Sequence, residues 1–137
     1  MAFEMAQKVL FKHCDPAGIV FYPRYFEMIN DCVEAFFDHL GHPFEVLHRT
    51  GAVPTAEIST RFTAPSRHGD HLTLGLDVTR LGRSSLGLTV TARCAGETRF
   101  TASATLVYIT PEGRPAPWPE ALRASLEPHV KGQENGE

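Results

Sequence analysis

An α+β domain is what the sequence predicts: one long amphipathic helix against a curved antiparallel sheet of about five strands. Three observations carry this. Residues 23–40, PRYFEMINDCVEAFFDHL, place apolar side chains at helical spacing. From Val53 onward the chain turns to runs rich in Thr, Val, Leu, Ile and aromatics, several of them alternating. The separators PSRHGD, GRSS and AGE are short enough for hairpins, so neighbouring runs pair antiparallel.

Taken in order, residues 4–13 read as a first strand that leads into a bend at Asp15. In the helix, Phe26, Ile29, Val33, Phe36, Phe37 and Leu40 share a face. Arg24, Glu27, Asn30, Asp31, Glu34 and Asp38 take the other positions. Pro23 suits the first helical position, where a missing N–H removes no bond, and Gly41 suits the C-terminal cap. A short helical turn is expected over 43–49, then strands over 56–64, 71–82, 84–94 and 98–110. The last run carries few charges, so an uncovered edge there would invite pairing; a symmetric dimer, paired further into a tetramer, is the expected assembly. Residues 111–119 are a proline-rich crossing, 119–128 a last short helix, and 129–137 a flexible tail.

A length of 137 residues suits a single domain spanning 1–137. No run approaches the roughly 18–20 apolar residues a membrane span needs, and Glu4 and Lys8 interrupt any signal-peptide pattern. Three widely spaced cysteines, Cys14, Cys32 and Cys94, with no CxxC pair, point away from a disulfide framework and towards a reducing, cytoplasmic setting. The formal charge of −3 gives no footprint for nucleic acid. It is unevenly spread: residues 61–99 hold six arginines against three acids, and the rest of the chain is acidic. A locally basic half suits a small anionic ligand, although scattered solvated arginines would give the same count.

The stretch FKHCDPAGIVFYP (11–23) sets one acid in apolar, glycyl and prolyl company. Asp15-Pro16 is a common turn initiator, yet a solvated turn would carry more polar neighbours than Ile19, Val20, Phe21 and Tyr22. Asp15 is therefore either a turn-former or a reactive group.

Extended to FKHCDPAGIVFYPRYFEMIND and combined with the helix-then-sheet order, this stretch resembles the 4-hydroxybenzoyl-CoA thioesterase family of the hotdog fold. That family carries a strand, a Thr or Cys before an Asp, two residues, a Gly, a few apolar residues, an aromatic or His, and a helix. Cys14, Asp15, Gly18, Ile19, Val20, Phe21, Tyr22 and Tyr25 fill those positions. Where broader acyl-CoA thioesterases of the group commonly have a His seven residues after the Asp, this chain has Tyr22, as in the 4-hydroxybenzoyl-CoA type. The resemblance implies a central helix wrapped by the sheet, dimers with a continuous sheet, often tetramers, and active sites at the subunit interface. It implies neither metal nor cofactor. The implied reaction is hydrolysis of an aromatic acyl-CoA, with Asp15 as nucleophile or general base and the backbone N–H of Tyr22 polarising the thioester carbonyl. Gly18 would let the loop pass close to the substrate, and Phe21, Tyr22 and Tyr25 would meet the acyl group. The CoA nucleotide is implied to lie against RLGRSSLG (80–87), with Arg83, Ser84 and Ser85 as donors.

Other assignments are weaker. A buried thiol is the commoner state of a residue like Cys14, and His13, adjacent to it on the strand, points to the opposite face. Glu27, Asp31 and Glu34 read as solvated helix charges, and His68 and His71 lack further metal ligands. A short- or medium-chain acyl-CoA thioesterase, or one acting on acyl-carrier protein, is the alternative on the same scaffold. A non-catalytic acyl-CoA-binding protein would have no need of Asp15.

Overall fold

The computed structural model describes residues 2–130. Five strands form an antiparallel sheet: β1 (Phe3–Lys8), β2 (Thr55–Phe62), β3 (His71–Leu81), β4 (Ser85–Cys94) and β5 (Glu97–Val107), in the order β1-β3-β4-β5-β2. The helices are α1 (Pro23–His39), the short α2 (Phe44–Leu47) and α3 (Glu120–Leu126). No helix among the described residues is long and apolar enough to cross a membrane.

The period of two along the strands builds the core. Leu72, Leu74, Leu76 and Val78 of β3 are buried, as are Leu86, Leu88, Val90 and Ala92 of β4 and Phe100, Ala102, Ala104 and Leu106 of β5. Residues such as Thr73, Thr89, Thr91, Thr101 and Ser103 alternate with them on the opposite face. Over the apolar face lies α1, burying Tyr25, Met28, Ile29, Cys32, Val33, Phe36 and Phe37. The stripe is thus rotated from the one the spacing predicts. Tyr25, Met28 and Cys32 turn inward, while Phe26 and Leu40 sit half-buried at its flanks. A helix this apolar offers two overlapping stripes, and only the sheet beneath it selects one.

Three sequence expectations change. The first strand ends at Lys8, and Phe11–His13 form a 3₁₀ turn, because the Leu10 N–H bonds the His13 ring 2.8 Å away. The 98–110 run lies inside the sheet as β5, between β4 and β2, so it needs no cover. The edge on that side is β2, whose Ile58 and Phe62 remain 38% and 44% exposed. Of the tail expected over 129–137, His129 packs its ring on Phe36 and Val130 bridges to Val78. Residues 131–137 lie outside the described residues.

The proline-rich crossing fastens the far end of the sheet. Trp118 donates its indole N–H to the Ser85 carbonyl, and the Arg123 guanidinium donates to the Gly82 carbonyl. Leu122 and Leu126 of α3 are buried.

The ring of Phe100 is fully buried where β5 meets α1, 4.8 Å from the Tyr25 ring. Phe100→Ala should lower stability by about 3–5 kcal/mol, read as a lower urea midpoint with unchanged slope.

Candidate active site

The chain between β1 and α1 is held by backbone bonds rather than by a regular element. His13 is buried, and its Nδ1 accepts the Leu10 N–H, so the ring must be neutral at that nitrogen. Its carbonyl accepts the Phe21 N–H at 2.9 Å, closing the loop just before the helix. Inside that loop the Asp15 N–H donates to the Ile19 carbonyl and the Gly18 N–H to the Asp15 carbonyl.

Asp15 itself is partly exposed, and its Oδ1 accepts the Ala17 N–H at 2.9 Å. That is the local bond of a turn-forming Asp. Oδ2 makes no hydrogen bond among the described residues. Gly18 has φ of 83° with open space where a Cβ would stand, so the turn requires glycine for its backbone angle. Cys14 points its thiol at the Leu10 carbonyl, 3.7 Å away.

At the start of α1, Pro23 has no N–H, and the Tyr22 N–H has no partner among the described residues. It is one of the unsatisfied donors that every helix start presents, at the positive end of the helix dipole. Beside it opens an apolar cleft of about 510 Å³, lined by Ile19, Val20, Tyr22, Tyr25, Phe62, Thr63, Ala64 and Pro65. Phe62 organises the aromatic wall: its ring stands 5.7 Å from Tyr25 in a stacked arrangement and 5.9 Å from Tyr22 edge-on.

Behind this wall the 63–67 segment is tied on both sides. Its Ser66 carbonyl accepts the Val20 N–H at 2.9 Å, and Arg67 bridges to Ile19. Tyr25 is buried, and that burial pushes its phenol up, partly offset by Ser66 and Arg99. Its hydroxyl makes no well-aligned hydrogen bond among the described residues, so Ser66 acts on it by proximity.

The residues expected at the site therefore divide. Asp15, Gly18, Tyr22 and Tyr25 share one end of the sheet, where β2 finishes at Phe62. Arg83, Ser84 and Ser85 occupy the β3–β4 turn at the other end, where β2 begins, roughly 25 Å away along the strands. In that turn the Ser84 carbonyl accepts the Tyr108 N–H, and the Ser85 hydroxyl accepts from Arg80 at 2.8 Å. The Arg83 guanidinium is exposed and makes no hydrogen bond or ion pair among the described residues.

Phe62 and the segment Thr63–Pro65 were not expected in the cleft. The alternation of Ile58, Thr60 and Phe62 was a usable signal, since it puts an aromatic on the inner face at the end of an edge strand. Among the described residues no group of three or more His, Cys, Asp or Glu side chains could hold a metal ion. Burial pushes the Cys32 thiol up to about 12, as suits a core residue.

A model of the thioesterase-like superfamily matches residues 9–126. No curated protein sequence matches the chain. Among solved structures, a 1,4-dihydroxy-2-naphthoyl-CoA thioesterase from Synechocystis superposes with a TM-score of 0.85 at 21% identity, over 92% of this chain and 96% of that one. A gentisyl-coenzyme A thioesterase gives 0.82 at 25% identity, over 88% and 99%. A Staphylococcus aureus protein solved in complex with CoA gives 0.90 at 20% identity, over 97% and 86%. The five-stranded sheet with its helix is the hotdog fold that these neighbours share.

The buried His13 has its pKa lowered from 6.5, chiefly by loss of solvent and next by Lys12. The unfolded chain then takes up the proton first, so stability should fall as pH drops from about 6.5 through the folded-state value. His129, lowered by burial as well, contributes in the same direction. In His13→Gln the fall of the urea midpoint between pH 7 and 5 should be shallower than in the wild type.

Proposed function

Because the chain belongs to the thioesterase-like superfamily, we propose that it is an acyl-CoA thioesterase, and that its acyl group is aromatic, of the 4-hydroxybenzoyl or benzoyl type. The observation that carries the reading is the Tyr22 N–H, without a partner among the described residues, on a residue that walls a cleft with Tyr25 and Phe62. Flat rings beside a flat acyl group gain edge-to-face and stacking contacts that a straight chain would not. Two of the structural neighbours are named for naphthoyl- and gentisyl-CoA, and a third carries CoA. Straight-chain acyl-CoAs are the runner-up on the same scaffold, supported by the open, apolar character of the cleft.

In this reading Asp15 is both turn-former and reactive group. Oδ1 holds the loop through the Ala17 N–H, which fixes the carboxylate and leaves Oδ2 for chemistry. Oδ2 attacks the thioester carbonyl carbon, or takes a proton from the water that does. The carbonyl oxygen gains the electron pair and is stabilised by the Tyr22 N–H and the helix start. Collapse of the adduct breaks the carbon–sulfur bond and expels CoA as thiolate. Water supplies the hydroxyl of the free acid, directly or by opening the acyl-aspartate.

The distant Arg83 turn enters the reading through a second copy of the chain. Among the described residues the β2 edge is unpaired, and it carries exposed Ile58 and Phe62. Two-fold antiparallel pairing along β2 would make the sheet continuous and reverse the neighbour. The Arg83 turn of the second copy would then stand at the Tyr22 end, three strand spacings or about 14 Å across the sheet. There an unengaged guanidinium could meet the CoA phosphates. In this reading two such dimers pair further into a tetramer.

The reading is tested on a panel of 4-hydroxybenzoyl-, benzoyl- and straight-chain acyl-CoAs. Asp15→Asn should fold and bind CoA but lose kcat by about 10²–10⁴-fold, whereas Tyr22→Phe, which keeps the main-chain donor, should lose far less. Near-native turnover by folded Asp15→Asn on every substrate would remove the carboxylate from the mechanism. Arg83→Ala should raise KM much more than it lowers kcat, by a loss of about 1–3 kcal/mol. An unchanged KM, or a strictly monomeric sedimentation profile at micromolar concentration, would take Arg83 out of the site.

A further inference from the structure

The one arginine in the β-rich half with a largely buried side chain, Arg99 at 11% exposure, stands directly behind the cleft. Its Nη1 donates to the Pro65 carbonyl at 3.1 Å, to the Ser66 hydroxyl at 3.1 Å and to Asp70 Oδ2 at 2.7 Å. Nε lies 2.8 Å from Glu97 Oε1, without hydrogen-bond alignment. The backbone carbonyl of the same residue accepts the Thr63 N–H at 2.9 Å and the Ala64 N–H at 3.3 Å. One residue of β5 therefore holds the whole of segment 63–66, which is a wall of the cleft.

That segment passes the constraint onward in two directions. The Ser66 carbonyl holds the Val20 N–H, and Val20 bridges back to Cys14, next to Asp15. The neighbouring Ile19 carbonyl accepts the Asp15 N–H. On the other side, the segment lines the same cleft as Tyr25, in the first turn of α1 and three residues beyond Tyr22, with the Phe62 ring stacked on the Tyr25 ring. Asp70 completes the grip: its Oδ2 also accepts the Arg67 N–H at 2.9 Å, closing the loop between β2 and β3.

We propose that Arg99, acting through Ser66 and anchored by Asp70, is the positioning residue that sets Asp15 and the Tyr22 N–H against each other. Neither reacting group touches Arg99. The 63–67 segment is bonded both to the Asp15 loop, at Ile19 and Val20, and to Arg99 of β5, so it braces their relative placement from outside the loop. The Arg67 N–H and then Arg99 hold the Asp70 carboxyl below its usual range, and Asp70 holds the guanidinium above its own. The pair therefore stays ionised wherever the site works. Loss of this anchor would let the loop and the helix start drift apart, and drift of about 1 Å in a reacting geometry costs rate rather than affinity.

The inference rests on the site reading given above, and the test separates the two. Arg99→Gln, Ser66→Ala and Asp15→Asn, with the Arg99→Gln/Asp15→Asn double variant, are compared with wild type on the best substrate of the panel. Thermal midpoints and the Kd of free CoA are measured on the same samples. The expected result is a kcat about 10–100-fold lower in Arg99→Gln with the CoA Kd within about threefold, and a smaller fall in the same direction in Ser66→Ala. The Arg99→Gln factor should shrink in the Asp15→Asn background, because both act on one placement. Ser66→Ala, a one-atom change, carries the test alone if Arg99→Gln does not fold. Native kcat in the folded variants beside an impaired Asp15→Asn overturns this inference alone. So does an Arg99→Gln loss that is undiminished in the double variant. Native turnover in Asp15→Asn overturns the site reading and this inference with it.

Discussion

Helix α1 can bury its apolar stripe only by lying over the inner face of the sheet, and the position of Tyr22, Tyr25 and the cleft beside them follows from that docking. With Met28, Cys32, Val33, Phe36 and Phe37 committed to the core, the helix cannot slide or roll without exposing large side chains. Its first turn is thereby fixed at the end of the sheet where Phe62 and Phe100 meet Tyr25. An unsatisfied helix-start N–H is ordinary; one held beside an aromatic cleft is a consequence of core packing many residues away.

The approach loop meets this fixed helix start without regular structure of its own. A neutral, buried His13 closes the turn that delivers Phe21, and a left-handed Gly18 turns the chain under Asp15. The local bond from Ala17 to Asp15 Oδ1 does not compete with a chemical role. A carboxylate has two oxygens, and a turn that engages one of them orients the other. In the proposed reading one carboxylate therefore serves as both turn-former and reactive group.

The sheet has two ends and two edges, and they carry different burdens. One end holds the cleft; the other holds Arg83 on a turn pinned by Trp118 and Arg123. The two are separated by the length of β2, the strand whose outer edge, Ile58 and Phe62 stay uncovered among the described residues. Under the proposed reading, pairing along that edge is what brings the two ends of neighbouring copies to one substrate.

Local patterns were enough to determine the elements and to single out much of the candidate site. The period of 3.6 in 23–40 and the period of 2 in 71–94 fixed α1, β3 and β4 to within a residue, while β5 ends at Val107, three residues short of the expected 110. The order His13-Cys14-Asp15-Pro16 and the Pro23 helix start identified the loop and its free donor. What local pattern could not decide was whatever depends on which surfaces meet. The stripe of α1 turned towards Tyr25 and Met28 because the sheet beneath selected it, and β5 moved inside because its low charge suits a central strand as well as an edge. Phe62 reached the cleft, and Arg99 reached Ser66 from 33 residues away, through strand register alone. In the sequence Arg99 is one of six arginines between residues 61 and 99, and nothing local distinguishes it. Burial does, and burial belongs to the folded chain.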